Sequence, residues 1–573
     1  MGNQMKNIQL VDMIKTSTVI VGAGIAGCWT AIKLLRMGIP TVVIHYDKLD
    51  RGGKLGASKI SAGAINTSSQ TRSDYTQWLN TLGQGQENPD IADIITENLS
   101  AELEELQEFD PLKKIALGVS LKSGSGQILL ERLFLEIINL GGKVLNDAWV
   151  TRIITRESIC QGIQYQRQGS IGAISAQFIV LASGGYAGLF QGAVKSGTYG
   201  SIHGRMLMAG GILSNMEFVF KHGYGQPDMG MLTPTEELPG VEIYDENGTH
   251  LEWLEKELFY ERGTNNHFQA QMAWRKEEGK KYFVDFRYRE FHTGLKKLSS
   301  QTPEGNEVIN RLLEFANTDR ASELRKILQG VYNQALVYNF ELFNKVKELI
   351  NDHCQTDNSR IRQISYFSMG GIAHHNFGTS LKNVFVCGEV MHDFGAFRVG
   401  GLPWALYLCA AKVIAQQISL LRGQSDIIKS AFDLEIQLSH FDASILRKVQ
   451  NGLQRYQESN MNQKQATQFA DWIKDKRHML LSKNQILDDA VAYLTTGEAI
   501  MRSSIIRQES RGCFFRDDFP DEDLALDNKY TLSKYHQDDH DIIVELVDRD
   551  KLTELLSGRK RNQSIQEINE LSL

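Results

Sequence analysis

Hydrophobic and polar positions change period several times along the chain, and each change marks an element. "TVIVGAGIAG" (18–27) is an unbroken apolar run ending in glycines, the pattern of a buried strand entering a tight turn. "CWTAIKLLRMG" (28–38) spaces its apolar residues at helical intervals and stops at Gly38. "PTVVIHY" (40–46) returns to a β-branched strand. Together they predict a βαβ unit at the start of the chain. "QILLERLFLEIINL" (127–140) predicts an amphipathic helix. "AQFIVLASGGYAG" (176–188) and "LKNVFVCGEV" (381–390) predict further buried strands that end in glycine, and "LPWALYLCAAKVIAQQISLL" (402–421) a long apolar helix. Residues 226–362 are more polar, with long helical stretches, and read as an inserted domain. After about 425 the pattern is mainly helical and charged.

The glycine turns carry the first chemistry. Gly22, Ala23, Gly24, Ile25, Ala26 and Gly27 fit G-x-G-x-x-G between a strand and a helix. Gly22 permits the tight turn, Gly24 lets backbone approach a pyrophosphate, and Gly27 allows close helix packing. The helix N-terminus offers free N–H groups to phosphate. The second strand ends at His45 and Tyr46, where a nicotinamide dinucleotide site has an acid for the ribose, so a typical NAD site is not expected. Ala182 and Gly184 end the second glycine-tipped strand, and Gly388 the third, with Glu389 placed to hydrogen-bond a ribose. Three such turns point to one extended cofactor, and FAD has the right size. Pro403 and Trp404 open the long apolar helix, whose N-terminus can stabilise the anionic end of a reduced flavin.

Composition narrows the class. The chain has 573 residues, too many for one core, with 42% apolar and 23% charged residues. The net charge of −7 shows no basic clustering, so no nucleic-acid partner is expected; the short run "GRKRN" (558–562) reads as a solvated tail. The six cysteines are dispersed without metal or cluster spacing, so no metal is expected and a reduced, cytoplasmic protein is. The N-terminus lacks an apolar signal region, and no run of about 20 apolar residues is found, so no membrane span is expected. His374 and His375 read as surface or flavin-edge residues.

The chain resembles the flavoprotein family of fumarate reductase, succinate dehydrogenase and L-aspartate oxidase from about residue 16 to 525. The most specific segment is "RQESRGCFFRDDFPDED" (507–523), similar to the family's Arg-x-Glu-Ser-Arg-Gly…Arg-x-Asp-Phe/Tyr-Pro. Others are "GASKISAGAI" (56–65), "MEFVFKH" (216–222) and "YFSMGGIAHHNFGTSLKNVFVCGEV" (366–390). The resemblance implies an α/β fold: a Rossmann-like FAD-binding domain (1–225 and 363–424), interrupted by an α+β capping domain (226–362), then a C-terminal helical domain and tail (425–573). It implies Ser58, Ser61 and Gly63 as further FAD-binding positions, Ser201 in place of a ribose-contacting Asp, and noncovalent FAD, since Ala57 falls where covalent members carry a linking histidine. It implies catalytic roles for Arg398, His222 and Tyr366, with Thr235, Arg398 and His222 binding the substrate carboxylate.

The departures shape the expected reaction. Gly223 follows His222 where the family has Pro, and Tyr366 stands for a carboxylate-binding histidine. The cap segment "NNHFQA" (265–270) puts Asn266 and Ala270 where the family has an acid and a proton-shuttling arginine, and the loop before Arg398 is two residues shorter. A site without that proton donor is poorly suited to fumarate reduction, whereas an amine activates its own adjacent C–H bond. The expected function is FAD-dependent oxidation of a small carboxylate-bearing substrate such as an amino acid, with O2 or an electron-transfer partner as acceptor. Two alternatives stay open: a genuine L-aspartate oxidase or fumarate reductase/succinate dehydrogenase flavoprotein, and a flavin-binding subunit of a larger complex. An oligomer also stays open.

Overall fold

The computed structural model describes residues 13–46, 58, 61, 63–67, 72–115, 118–191, 193, 198–226 and 358–557 apart from 399, 423–436 and 459–462, with short strands between 231 and 285. The chain forms two compact units. The first holds residues 1–191, 195–220 and 367–573, and the second 192–194 and 221–366.

The first unit is built on β1 (Ile14–Val21), α1 (Ile25–Arg36) and β2 (Thr41–Ile44). A small antiparallel sheet follows, of β3 (Ala64–Asn66), β4 (Leu112–Ile115) and β5 (Gly118–Leu121), with helices α2 (Arg72–Gly83), α3 (Ile91–Leu106) and α4 (Gly126–Asn139). Next come β6 (Lys143–Leu145), β7 (Ala148–Arg156), β8 (Ile159–Arg167), β9 (Ser170–Leu181), α5 (Ser201–Met208) and β10 (Leu213–Ser214). The second unit contains most of β11 (Val219–Gln226) and β15 (Asn358–Ser368), with β12 (Met231–Leu232), β13 (Glu242–Asp245) and β14 (Tyr282–Asp285) in one sheet. The chain closes with β16 (Gly371–Ile372), β17 (Val384–Val386), α6 (Leu402–Leu421), α7 (Ala443–Glu458), α8 (Gln463–Ser482), α9 (Asp489–Ile506), β18 (Lys529–Tyr535), β19 (Ile542–Asp548) and α10 (Arg549–Ser557).

The main sheet runs β6-β2-β1-β9-β8-β7, with β17 also on β9. β6, β2, β1, β9 and β17 are mutually parallel, with Val19 beside Val42 and Ile179, and Val386 beside Leu181. Val19–Val21, Val42–Ile44, Phe178–Leu181 and Val384–Val386 are all buried, as a parallel sheet covered on both faces requires. The parallel register brings the carboxyl ends of β2, β1, β9 and β17 to one edge. The Gly22, Ala182 and Gly388 turns therefore adjoin, at the place where open α/β sheets bind ligands.

Of four sequence expectations, two hold and two change. Helix α6 begins at Leu402, as its apolar pattern predicts, and is capped by Gly401 at φ +84°, so Pro403 and Trp404 both lie in its first turn. It is also long and apolar enough to cross a membrane, contrary to the expectation that no such run exists. Its Leu402, Ala405, Leu406, Leu408–Ala411 and Ile414 are fully buried, and it packs against α1 and α3, as a core helix does. Third, the described residues after 425 are mainly helical, as expected, with one addition: β18 and β19 form a hairpin that joins β10 and β16 in a four-stranded sheet. The alternation in "KYTLSKY" and the β-branched start of "IIVELVD" produce it. Fourth, His374 is buried: its Nε2 lies 2.9 Å from the His392 carbonyl, and its Nδ1 accepts from Phe377 N–H at 3.2 Å. Burial lowers its pKa to about 3, so it is a neutral core residue. His375, half-buried, sits 3.7 Å from Asp90.

Candidate active site

The flavin end of the site is bare backbone for a physical reason that differs among its glycines. A Cβ on Gly22, held at φ +112°, would lie 2.3 Å from the Ala182 carbonyl, and one on Gly27 2.0 Å from the Gly22 carbonyl. Those two glycines are required by the protein's own packing. A Cβ on Gly388 would press on Ala26 at 2.9 Å, which holds the β17 turn against α1. Gly24 is different. Its backbone is extended, at φ −74°, and the nearest atom to an added Cβ is the movable Ser58 Oγ at 3.3 Å. A Cβ on Gly184 would meet only Thr198 among the described residues, at 3.5 Å, although its φ of +80° itself favours glycine. Open backbone at Gly24 and Gly184, on adjoining strand ends, fits a flat cofactor that approaches from outside. Helix α1 carries no acid in its first turn, so its positive end is left for an anion.

The remaining flavin candidates cluster unevenly. The Ser58 hydroxyl accepts from Ile25 N–H at 3.1 Å and so caps α1. Ser61 Oγ accepts from Gly63 N–H at 3.0 Å, and the Ser61 carbonyl from Gly126 N–H at 2.8 Å, tying this segment to α4. Ala182 N–H donates to the Val21 carbonyl at 2.8 Å, joining the first two glycine turns. Tyr46, at the tip of β2, is half exposed and stands edge-on to Trp149. Ser201 opens α5 after Gly200, at φ +67°. Ala57, Thr235, Asn266 and Ala270 lie outside the described residues. His222 is placed on β11 by its backbone alone, and Tyr366 is half-buried on β15 in the second unit.

Glu389 links the flavin turns to Arg398. Its Oε1 accepts from Ser368 N–H at 3.1 Å, and a Cβ on Gly185 would come within 2.5 Å of it. Its Oε2 lies 3.9 Å from Arg398 Nη2, beyond hydrogen-bond reach. Arg398 itself is 2% exposed. The anion it meets within the chain is Asp393, whose Oδ2 accepts from Nη1 at 2.8 Å. Nη1 also donates to the Tyr407 hydroxyl at 3.1 Å, and that hydroxyl donates to Asp393 Oδ2 at 3.3 Å. The Phe367 ring lies 3.9 Å below the guanidinium carbon. Phe367 is in turn stacked on Phe220 at 4.4 Å. Nε is buried and has no hydrogen-bond partner. One end of the guanidinium is therefore anchored and one face covered, while among the described residues the Nε–Nη2 edge has no hydrogen bond and only the longer ion pair to Glu389.

Electrostatics follow from that burial. Burial raises the Asp393 carboxyl to about 6, against the opposing pull of the Arg398 charge. Burial also pushes Tyr407 well above its ordinary value, so it remains a phenol that bridges the pair. Asp393 and Tyr407 were not apparent in the sequence. Their signal was a lone acid in the shortened loop and a tyrosine one helix turn past Pro403.

Residues 17–402 match the family described as FAD binding domain, and residues 447–562 match the fumarate reductase flavoprotein C-terminal family. The fold is similar to FrdA of E. coli quinol fumarate reductase, at 18% identity and a TM-score of 0.70, covering 94% of this chain and 97% of that one. It is also similar to Mycobacterium smegmatis Sdh1, at 16% identity and a TM-score of 0.68, covering 94% of each chain. Adenylylsulfate reductase from Archaeoglobus fulgidus shares 14% identity at a TM-score of 0.60, covering 95% of this chain and 97% of that one. No curated protein matches the sequence. The chain belongs to the family of FAD-dependent oxidoreductases that includes the fumarate reductase and succinate dehydrogenase flavoproteins.

The family's most specific segment has a structural task in this chain. Arg507 Nη1 donates to Glu509 at 2.8 Å, and its Nε donates to Glu217 at 2.5 Å. Its Nη2 reaches Gln86, Asn215 and the Lys529 carbonyl. Arg511 grips both Glu509 oxygens, and Arg516 both Asp518 oxygens. This network ties α9 and the β18 strand to the FAD-binding region.

Proposed function

We propose that this oxidoreductase removes a hydride from a small carboxylate-bearing substrate such as an amino acid, with FAD held noncovalently. The observation that carries the reading is the Nε–Nη2 edge of buried Arg398, where Nε has no hydrogen-bond partner among the described residues and Nη2 has only the 3.9 Å ion pair to Glu389. A buried donor without an acceptor is costly, and this edge has the planar spacing of a carboxylate. The bound carboxylate accepts from Nε and Nη2, while Asp393, Tyr407 and Phe367 keep the guanidinium from turning. The phenyl rings of Phe220, Phe367 and Phe397 exclude water from that side of the arginine. A free amine on the carbon beside the carboxylate supplies the electron pair that expels hydride, so this step asks no strong base of the chain. FAD, when bound, supplies the hydride acceptor.

Electrons then pass to O2 or to an electron-transfer partner. The described cysteines are free and buried, which supports a reducing, cytoplasmic setting. The test is anaerobic mixing of the FAD-loaded protein with a panel of amino acids. Loss of the oxidised flavin band is expected with at least one of them. A flavin that no amino acid or small carboxylate reduces would overturn the reading. Turnover of fumarate or L-aspartate above all others would instead favour the family's better-known reactions.

A further inference from the structure

We propose that the ring of Tyr46 is the stacking platform for the adenine of FAD, and that it sets how tightly this chain holds its cofactor. The proposal concerns the adenosine end of FAD and does not depend on the reaction proposed above. The order of the main sheet gives the direction in which an extended dinucleotide lies. β1 and the Gly22 turn stand in the middle, with the positive end of α1 for the pyrophosphate. On one side lie β9 and β17, with Gly184, Gly388 and Glu389, and Glu389 leads on to the Arg398 cluster. On the other side lies β2, whose carboxyl end carries His45 and Tyr46. With the flavin over the β9 and β17 ends, the adenosine half falls over the end of β2, the place of the ribose in dinucleotide-binding folds.

The end of β2 holds that ring in place. Gly22 N–H donates to the Ile44 carbonyl at 2.9 Å, His45 N–H to the Leu145 carbonyl at 2.8 Å, and Ala148 N–H to the His45 carbonyl at 3.0 Å. The backbone of His45 is thus fixed through both its N–H and its carbonyl, and Tyr46 is the next residue. Trp149 stands beside it near the start of β7, in register with Gln166 of β8. The two rings meet edge to face, with centroids 6.0 Å apart and planes at 66°. The Trp149 Nε1 is buried, so the indole is the inner member of the pair. Tyr46 remains 49% exposed. A phenol ring backed by an indole and open outward suits a purine, because base–aromatic stacking needs a π-face on each partner and no particular hydrogen-bond pattern.

The experiment strips the full-length chain of flavin and titrates it with FAD and with FMN, which lacks the adenosine half, following flavin fluorescence. Tyr46→Leu is expected to weaken FAD about tenfold and to leave FMN as in wild type. Tyr46→Phe keeps the ring and is expected to bind FAD within about twofold of wild type. An unchanged FAD affinity in Tyr46→Leu, or an equal fall for FMN, would overturn the proposal. So would a Tyr46→Phe as weak as Tyr46→Leu, because the hydroxyl and not the ring would then be the contact. Wild type alone supplies a second test, which stands even if a variant does not fold. It is loaded with FAD carrying an azide on its adenine, irradiated and digested. The label is expected on Tyr46, and a label confined to other residues would overturn the proposal.

Discussion

Two arginines in the first unit are buried to almost the same degree, and they are built in opposite ways. Arg507 has every nitrogen engaged: Nε on Glu217, Nη1 on Glu509, and Nη2 on Gln86, Asn215 and the Lys529 carbonyl. Arg398 has only Nη1 hydrogen-bonded, on Asp393 and Tyr407; its Nη2 has the 3.9 Å ion pair to Glu389, and its Nε has no partner among the described residues. Burial of a guanidinium is costly in both places, because the cation leaves water. In the first the chain compensates fully, and the result is a joint between distant segments. In the second it compensates on one end and leaves an edge over. A saturated buried arginine is structural, whereas an unsaturated one marks a place where a ligand completes the coordination. The family-signature segment thus carries architecture, and the divergent loop before Arg398 is where we place the chemistry.

The contrast breaks most visibly if Arg507 proves dispensable. Arg507→Ala leaves Glu217 without its recorded cation in a buried setting, while Glu509 keeps Arg511, and a loss of about 3–5 kcal/mol in urea unfolding is expected. A loss below about 1 kcal/mol would mean that the network is not the joint its geometry describes. Arg398→Lys should behave in the reverse sense. Lysine keeps a cation beside Asp393 but has no planar fork, so stability should change little. Flavin reduction by the best amino acid should fall by about 100-fold or more, measured in single-turnover anaerobic mixing. An equal loss of stability in both variants would erase the distinction between them.

The sequence made one of these arginines legible and half-hid the other. Arg398 stood out as a lone charge in an apolar turn, and its resemblance to a carboxylate-binding position gave it a role. Its in-chain partners could not be read, because a contact from 393 to 398 and on to 407 depends on how a shortened loop turns, not on periodicity. Arg507 was legible as a pattern only. Its partners Gln86, Asn215 and Glu217 lie hundreds of residues away, and no local signal pairs them. The βαβ opening was the most legible part of the fold, since continuous apolar runs and a glycine turn admit few alternatives. The 529–548 hairpin was lost in a region dominated by helical charge spacing, although its own alternation is clear in isolation. The glycines were legible as a motif, but only the geometry separates Gly22 and Gly27, which the chain's packing requires, and Gly184, which its φ of +80° requires, from Gly24, which neither packing nor φ demands.

Acid titration sharpens the comparison further. Asp393 titrates near 6 in the folded chain, above its ordinary 3.8, because burial outweighs the Arg398 charge. Between those values the folded chain holds a proton that the unfolded chain has released. The stability contributed by this group is therefore present below about pH 4 and is lost as pH rises through about 6. Asp393→Asn removes that dependence. Its stability relative to wild type should rise by on the order of 2 kcal/mol between pH 4 and pH 6.5, read from paired urea unfolding curves. A flat difference over that range would show that Asp393 is already ionised when folded, with Arg398 compensating it more completely than the geometry shows.

The smallest effect tests redundancy. Arg507 Nη2 lies within reach of Gln86 Oε1 at 3.1 Å, Asn215 Oδ1 at 3.3 Å and the Lys529 carbonyl at 3.0 Å. Removing one acceptor leaves two, so no charge is stranded. Gln86→Met keeps the unbranched shape and deletes the amide, which also releases its bond to the Leu526 carbonyl at 3.2 Å. A loss of about 1 kcal/mol is expected in urea unfolding, with amino-acid reduction of the flavin unchanged. The corresponding deletion beside Arg398 has no such reserve, since Nη1 depends on Asp393 for its charge partner and on Tyr407 only for a neutral hydroxyl. If Gln86→Met were to cost as much as Arg507→Ala, the joint would hang on a single acceptor. The two arginines would then differ in which edge is filled, and not in how completely each is held.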